Sequence, residues 1–236
     1  MQHWVTCTQL EQAGKSVQLT ELEPNLTAIR APRVGIEQSG LLVQTAHGNL
    51  LFDIPGLITQ EAIAKIQALG GISAIVASHP HMYGVQSQYS AAFDDAPSYV
   101  AQADSRWLQR TDAPVQYWSD SFEVLPGISL HQIGGHFPGS TLALWQNGAN
   151  GHGALLAGDA VFPVADGNVT FLRSYPNQIP LSARVVRRMA LQLSTLSFER
   201  LYNNFATCVP ERAGEIVQFS ARRYAGWADG DHDDLT

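Results

Sequence analysis

The sequence predicts an α/β fold. Residues 72–77 form a short apolar run rich in β-branched residues, which is typical of a strand buried on both faces. Another apolar strand at residues 50–54 and a helical pattern at residues 59–69 precede it. Together the three segments predict a β-α-β crossover. A strand-rich stretch followed by a helical pattern recurs later, where residues 181–196 have an amphipathic period.

The composition indicates a single soluble domain over residues 1–236. Hydrophobic residues make up 45% of the chain and charged residues 15%, which is typical of a compact enzyme. No apolar run approaches the ~18 residues of a membrane span, and the net charge of −7 disfavours nucleic acid and anionic membranes as partners. Cys7 and Cys208 lie far apart, so no disulfide framework is implied and a cytoplasmic location is expected. The expected partner is a small-molecule substrate, and a homodimer stays open.

The first half of the chain is expected to be mixed. Strands are predicted at residues 3–9, 16–21, 26–30, 41–45, 50–54, 72–77, 98–101 and 115–118. Helices are predicted at residues 59–69 and 85–93, with a helical turn near residues 104–108. Thr59 is a suitable N-cap, and Gly70 and Gly71 end its helix.

The second half returns to strands before two helices. Strands are predicted at residues 122–125, 128–133, 141–145, 154–157, 169–173 and 200–203. Helices are predicted at residues 181–196 and 210–227, and Pro210 is placed in the first turn of the latter.

Two histidines follow the buried strand at residues 72–77. His79 and His81 stand two positions apart in the stretch S-H-P-H. In an extended backbone, side chains at i and i+2 point the same way, so both imidazoles can converge on one point. Open α/β sheets place ligands beyond the carboxyl ends of their strands. A metal site is one interpretation, and two solvated loop histidines are the other.

Two more ligand-type side chains stand at abrupt strand ends. His136 lies in the stretch G-G-H-F-P-G-S, whose glycines allow the backbone to approach an ion closely. Asp159 follows Gly158 directly after the strand at residues 154–157. A carboxylate at the end of an apolar strand is costly unless something positive satisfies it, and a metal ion would do so. The alternative for Asp159 is a cap of the next turn.

Together, these stretches resemble the metallo-β-lactamase fold superfamily. The matching pieces are S-H-P-H at 78–81, G-G-H-F-P-G-S at 134–140 and G-D at 158–159, after a hairpin L-L-V-Q-T…G-N-L-L-F-D-I. The resemblance covers about residues 26 to 225. Within the superfamily, S-H-P-H, I-G-G-H, G-D and the stretch R-S-Y-P-N at 173–177 are similar to a bacterial branch of generic metallo-hydrolases. It implies a single domain with a four-layered αβ/βα sandwich, in which two central sheets carry helices on their outer faces.

The sequence departs from the pattern of this superfamily at its second metal site. The family motif is H-x-H-x-D-H, and here Tyr83 and Gly84 replace its last two ligands. The late histidine of the second site is expected near residues 201–204, but no histidine occurs between His152 and His232. The resemblance therefore implies a degenerate second site.

What remains of the family's ligands is one mononuclear set, namely His79, His81, His136 and Asp159. Three imidazoles and one carboxylate suit one divalent ion, Zn²⁺, or Fe²⁺ as the alternative if one position stays open. Asp159 is expected either as the fourth ligand or as a general base that holds the nucleophilic water. Dinuclear members use their second ion to steady the amide nitrogen that leaves from a β-lactam, so efficient β-lactam hydrolysis is expected to be absent here.

Two further residues receive candidate roles. Tyr83 stands where the family keeps an aspartate, so its phenol could donate a hydrogen bond to a substrate oxyanion. The alternative is that it fills the lost second site by packing. Arg173, at the end of a predicted strand, could bind a carboxylate or phosphate of the substrate, and a surface role is its alternative.

The function implied by the resemblance is hydrolysis of a small ester, thioester or lactone-type substrate by a single metal-activated water. A second hypothesis is a non-catalytic or vestigial member that binds a metal or a small molecule. A third is an iron-dependent oxygenase of the persulfide type, which takes two histidines and an aspartate from these same positions.

Overall fold

Two large sheets, each with its own helices, carry most of the chain. The computed structural model describes residues 5–236. Residue contacts divide it into two units. Unit 1 runs to Val100 and adds Arg106–Tyr117 and Asn204–Ala206, and unit 2 comprises Ala101–Ser105, Trp118–Asn203 and Thr207–Thr236. This division does not test the single domain expected over residues 1–236, which stays a prediction.

Unit 1 is built on a seven-stranded sheet whose strands lie in sequence order, from β1 to β7. The strands are β1 (Gln18–Glu23), β2 (Leu26–Arg30), β3 (Ser39–Val43), β4 (Leu50–Phe52), β5 (Ala74–Val76), β6 (Ser98–Ala101) and β7 (Val115–Trp118). The helices of this part are α1 (Cys7–Gln12), α2 (Gln60–Ala68) and α3 (Gln86–Ala92), with 3₁₀ turns at Pro80–Met82 and Gln102–Trp107.

The predicted β-α-β crossover is present in unit 1. Strand β4 pairs with β5 in parallel, and α2 connects them. The Thr59 side chain accepts a hydrogen bond from the Ala62 amide, so it is the N-cap that the sequence predicts. Ala62 and Ile66 of α2 are buried in the core of this unit. The crossover ends with β5, and the two histidines follow shortly after this strand.

Unit 2 is built on a six-stranded sheet in the order β17-β16-β11-β10-β9-β8. Its strands are β8 (Ser121–Leu125), β9 (Ile128–Gln132), β10 (Thr141–Trp145), β11 (Ala154–Leu156), β16 (Arg200–Tyr202) and β17 (Cys208–Val209). Two small sheets add β12 (Phe162–Pro163) with β13 (Val169–Thr170), and β14 (Leu172–Ser174) with β15 (Ile179–Pro180). The helices are the turn α4 (Gly148–Gly151), α5 (Ala183–Leu193) and α6 (Ala213–Asp229), with a 3₁₀ turn at Asp233–Leu235.

Helices α5 and α6 cover the apolar core of unit 2. Val186 and Met189 of α5 are fully buried, as is Val217 of α6. They share one hydrophobic cluster with Leu155 of β11 and Leu201 of β16, two strands that pair in parallel. The amphipathic pattern of residues 181–196 therefore identifies the correct helix.

The prediction of a strand at residues 3–9 is wrong. Residues 3 and 4 lie outside the described part of the chain, and Cys7–Gln12 form helix α1. The Thr6 hydroxyl accepts a hydrogen bond from the Gln9 amide, and the Gln9 side chain accepts one from the Thr6 amide. This capping box favours a helix over the strand that the local composition suggests.

Two other boundaries also differ from prediction. Helix α6 begins at Ala213, after Arg212 adopts a left-handed backbone, so Pro210 is not in its first turn. The strand expected at residues 169–173 is two short strands, β13 and β14, which pair in different sheets. They are separated by Phe171, whose side chain is fully buried in the core of unit 2.

Among residues 5–236, no helix combines the length and the apolar character that crossing a membrane requires. The cytoplasmic location stays a prediction.

The cap of α2 gives a test of this fold. We expect Thr59→Ala to lower the free energy of unfolding by about 1 kcal/mol, because the buried Ala62 amide loses its acceptor. Thr111→Ala, at an exposed loop position, is the control, with an expected change within about 0.5 kcal/mol. Urea denaturation of both variants measures the difference, and equal losses would contradict the assigned cap.

Candidate metal centre

His79 and His81 meet through a turn rather than along a strand. His79 has an extended backbone, and Pro80 then opens a 3₁₀ turn that includes His81. The two rings lie edge to face with centroids 4.9 Å apart, and His79 Nε2 is 3.2 Å from His81 Nδ1. The two imidazoles do converge, but the predicted reason, an extended backbone across both residues, is wrong. Proline supplies the turn because its φ angle is already near the helical value.

A chain of hydrogen bonds orients the His79 ring. The Ser78 hydroxyl donates to Asp53 Oδ2 at 2.9 Å and lies 2.9 Å from His79 Nδ1. Since the hydroxyl proton goes to the carboxylate, Nδ1 of His79 must be the donor to Ser78 Oγ. The lone pair of the ring then lies on Nε2, the atom that faces His81. Asp53 is fully buried and also accepts from the Ser78 amide at 2.7 Å, which fixes this arrangement.

His136 lies in a closed loop at the end of β9. The Ile133 amide donates to the Ser140 carbonyl, and the Ser140 hydroxyl accepts from the Phe137 amide at 2.8 Å. His136 Nδ1 lies 3.2 Å from the carbonyl oxygen of Leu172, to which it donates. Because a carbonyl can only accept, the ring proton stands on Nδ1 and the lone pair on Nε2. That Nε2 lies 3.7 Å from Asp159 Oδ2.

The glycines before His136 allow the loop to pack against helix α5. Gly134 and Gly135 have φ of +67° and +86°, which side chains rarely allow. A Cβ on Gly135 would lie 2.7 Å from Sδ of Met189 on helix α5 and 3.2 Å from Leu181. Gly135 therefore lets the loop pack closely on α5. The approach of its backbone to an ion stays a prediction.

Asp159 follows Gly158 in a tight turn at the end of β11. Gly158 has a φ of +52°, and the Ala160 amide donates to the Ala157 carbonyl to close the turn. The Asp159 side chain is 9% exposed, so its carboxylate is largely removed from water. A hydroxyl from Tyr175 donates to the Asp159 backbone carbonyl at 2.8 Å.

The four predicted ligands form a group able to hold a metal ion. Each of His79, His81, His136 and Asp159 offers one ligand atom, and these atoms all lie within 4.8 Å of one another. Ligand atoms at 2.0–2.1 Å from one tetrahedral Zn²⁺ lie about 3.3–3.4 Å apart. Two of the pairs, 3.2 Å for His79–His81 and 3.7 Å for His136–Asp159, lie close to that value, and every other pair lies within 4.8 Å. The donor chemistry and the spacing therefore both fit a divalent metal ion.

Tyr83 and Arg173 lie close in sequence or space to these ligands. Tyr83 ends the 3₁₀ turn of His81 and packs against the core of unit 1. Arg173 is exposed, donates from Nη1 to the His136 carbonyl at 2.7 Å and places its guanidinium 5.3 Å from the Phe137 ring centroid. The roles expected for both, an oxyanion donor and a substrate contact, stay predictions.

Asparagine side chains stand where the resemblance places the last histidine of a second metal site. Asn203 and Asn204 are buried directly after β16. The Asn204 amide nitrogen lies 3.8 Å from Sδ of Met82, the residue between His81 and Tyr83. The Asn204 amide therefore packs on the thioether of Met82, next to the turn that contains His81.

Sequence reasoning missed three residues that orient the ligands. Ser78 contacts His79, Tyr175 contacts Asp159, and Asp53 holds Ser78 in place; none of the three is a ligand candidate itself. A usable signal was present for Asp53, since it is a charged residue at the end of an apolar strand, as Asp159 is. Tyr175 lies in the stretch R-S-Y-P-N, but its contact with Asp159 joins positions 16 residues apart and has no local signal.

The packing of Gly135 predicts a specific defect. We expect Gly135→Ala to cost about 1 kcal/mol of backbone strain and a further ~1–3 kcal/mol of overpacking against Met189, and to weaken zinc binding. Gly127→Ala is the matched control, because Gly127 has a φ of +82° with nothing within 4 Å of the added Cβ. Urea denaturation measures the stability of the two variants, and zinc titration measures their metal affinity. Equal losses of stability would show that the α5 contact does not constrain the loop.

Comparison with known proteins gives one relative in sequence. The chain is 39% identical over 227 residues to the uncharacterized protein YmaE of Bacillus subtilis, and the match covers 94% of this chain and 82% of YmaE. No family model matches the chain.

Solved structures of low sequence identity share the fold. The DIM-1 metallo-β-lactamase aligns with a TM-score of 0.66 at 13% identity, covering 88% of this chain and 97% of that one. The FIM-1 metallo-β-lactamase of Pseudomonas aeruginosa, in its mono-zinc form, aligns with a TM-score of 0.62 at 15% identity, covering 89% and 96%. The predicted αβ/βα sandwich is thereby confirmed. The chain belongs to the family of YmaE, and its fold is that of the metallo-β-lactamases.

Proposed function

We propose that this protein is a metal-dependent hydrolase that uses one divalent ion, Zn²⁺, to cleave a small ester, thioester or lactone-type substrate. The observation that carries the proposal is the group of three imidazoles and one carboxylate whose ligand atoms lie within 4.8 Å of one another. Neighbours with the same fold support a metal-dependent hydrolase in general.

A single ion is favoured by the residues at the second ligand positions. Tyr83 and Gly84 stand where the family motif has an aspartate and a histidine, and Asn204 packs on Met82 nearby. A phenol and an amide are weaker ligands for Zn²⁺ than carboxylate and imidazole. FIM-1 in its mono-zinc form is a precedent for one zinc ion on this fold.

The ligand residues also define the chemistry. A zinc ion held there supplies a water whose pKa is lowered to about 7 as the nucleophile. We propose that the largely buried Asp159 carboxylate holds this water and accepts its proton as general base. His79 and His136 keep their lone pairs on Nε2 through the hydrogen bonds at Nδ1, so neither ring needs to change tautomer when an ion binds.

Two residues are proposed to contact the substrate. The Tyr83 phenol would donate a hydrogen bond to the oxyanion that develops on the attacked carbonyl. Arg173 would bind a carboxylate or phosphate of the substrate, because one of its five N–H groups is used on the His136 carbonyl and the guanidinium is exposed.

Generic esters and thioesters test this proposal. We expect the zinc-loaded protein to hydrolyse activated aryl esters and acyl thioesters, and His136→Ala to lose this activity by at least about 10²-fold while still folding. His131→Ala is the control, because His131 lies on the neighbouring strand β9, contacts Ser129 and is outside the ligand group. Initial rates and circular dichroism of all three proteins are the measurements.

The same experiment separates the alternatives. Zinc binding without turnover of any ester or thioester would favour a vestigial, binding-only protein. Activity that needs Fe²⁺ and dioxygen with a persulfide substrate would favour the oxygenase. Equal ester turnover in His136→Ala and the unaltered protein would contradict the assignment of the site.

Efficient β-lactam hydrolysis is expected to be absent. The amide nitrogen of a lactam is a poor leaving group, and the chain lacks the ligands of the second ion that dinuclear lactamases use to stabilise it. Losing one such stabilisation costs ~10²–10³ in rate. We expect kcat/KM for penicillins and carbapenems to stay below the order of 10⁴ M⁻¹ s⁻¹; a larger value in a spectrophotometric assay would contradict the single-ion proposal.

A further inference from the structure

One short segment of unit 2 contacts both of its ligand residues. Strand β14 (Leu172–Ser174) and the following Tyr175 lie against His136 and Asp159. The contacts come from a backbone carbonyl, a guanidinium and a phenol within four consecutive residues. Nothing in the composition of the segment indicates this, since it lies after the buried Phe171 and before an exposed turn.

His136 is held by this segment at three points. Its Nδ1 donates to the Leu172 carbonyl at 3.2 Å, and its own carbonyl accepts from Arg173 Nη1 at 2.7 Å. The Tyr175 ring lies 5.6 Å from the imidazole, centroid to centroid. Rotation of the imidazole would break the first contact, and movement of its backbone would break the second.

Tyr175 is the one side chain among these that touches both ligand residues. Its hydroxyl donates to the Asp159 carbonyl at 2.8 Å while its ring lies against His136. Phe162 also packs on the Tyr175 ring, with centroids 4.8 Å apart. A tyrosine ring has few rotamers, so a ring packed against two neighbours cannot easily reorient. Tyr175 therefore holds the side chains that it contacts at fixed positions.

We propose that Tyr175 is a positioning residue that sets the spacing between the ligand atoms of His136 and Asp159, and that Arg173 assists it through the His136 carbonyl. The inference rests on the proposed function, because it assigns the two residues to the same metal site. Asp159 follows a glycine in the left-handed region, where the backbone is easily displaced, so a hydrogen bond at its carbonyl restricts the position of its carboxylate.

The variant Tyr175→Phe tests this role, because it keeps the ring and removes only the hydroxyl. Tyr224→Phe is a matched control: Tyr224 is also half-buried in unit 2 and donates to a backbone carbonyl, that of Leu181, at 3.0 Å. We expect the zinc dissociation constant, measured by competition with a chromophoric chelator, to rise about tenfold in Tyr175→Phe and less than about twofold in Tyr224→Phe. The visible absorption of bound Co²⁺ should change only in Tyr175→Phe.

The outcomes distinguish this inference from the proposed function. If the unaltered protein binds one zinc ion and Tyr175→Phe binds it equally well, the positioning role is wrong and the proposed function stands. If the unaltered protein binds no zinc, both are wrong. Thermal unfolding of the metal-free proteins shows whether the two phenylalanine variants lose similar stability. Similar losses of stability together with equal zinc affinities would indicate a purely structural role for Tyr175.

A second pair of variants covers the case in which Tyr175→Phe does not fold. Arg173→Met removes the donor to the His136 carbonyl. Arg200→Met is its control, because Arg200 Nε donates to the Pro210 carbonyl at 3.0 Å, remote in sequence from the ligands. We expect weaker zinc binding in Arg173→Met alone. Equal zinc affinities in both arginine variants would overturn the role of the segment.

Discussion

An imidazole binds a metal ion only through a ring nitrogen that carries no proton, so a hydrogen bond donated by one nitrogen makes the other nitrogen the ligand atom. In this protein, Ser78 and the Leu172 carbonyl accept from Nδ1 of His79 and His136. Both rings thereby keep their lone pairs on Nε2. The ligand group depends on these two contacts as much as on the identity of its four residues, because a ring in the other tautomer would present a proton to the ion.

The fold supplies these contacts from segments far apart in sequence. Asp53, at the end of β4, accepts from Ser78 after β5, and this contact requires the parallel pairing of the two strands. The Leu172 carbonyl lies 36 residues beyond His136. Close packing of Gly135 on α5 fixes the loop that carries His136 against this helix. The site is therefore a product of tertiary structure, although each ligand stands in a short, recognisable stretch.

This division explains what could be predicted from the sequence. The strands around residues 72–77 and 154–157 and the clustering of His79, His81, His136 and Asp159 could be predicted, because apolar runs that end abruptly in histidine or aspartate are local patterns. The positive φ of Arg212 and the burial of Phe171 could not, since both depend on packing against distant elements. For the same reason the roles of Ser78 and Tyr175 emerged only from the structure. The turn begun by Pro80 replaced the extended geometry that the spacing of His79 and His81 suggested.

The proposed function combines a single metal ion with chemistry whose leaving group needs little stabilisation. The central claim is that one divalent ion is bound by His79, His81 and His136, with Asp159 as the fourth ligand or as the residue that holds the bound water. Elemental analysis of protein purified without a chelator or a histidine tag, combined with an anomalous scattering map, tests it most directly. The account predicts up to one ion per chain, zinc, surrounded by these four side chains. Two equally occupied ions a few ångströms apart, or three imidazoles hydrogen-bonded to one another in a metal-free protein, would contradict it.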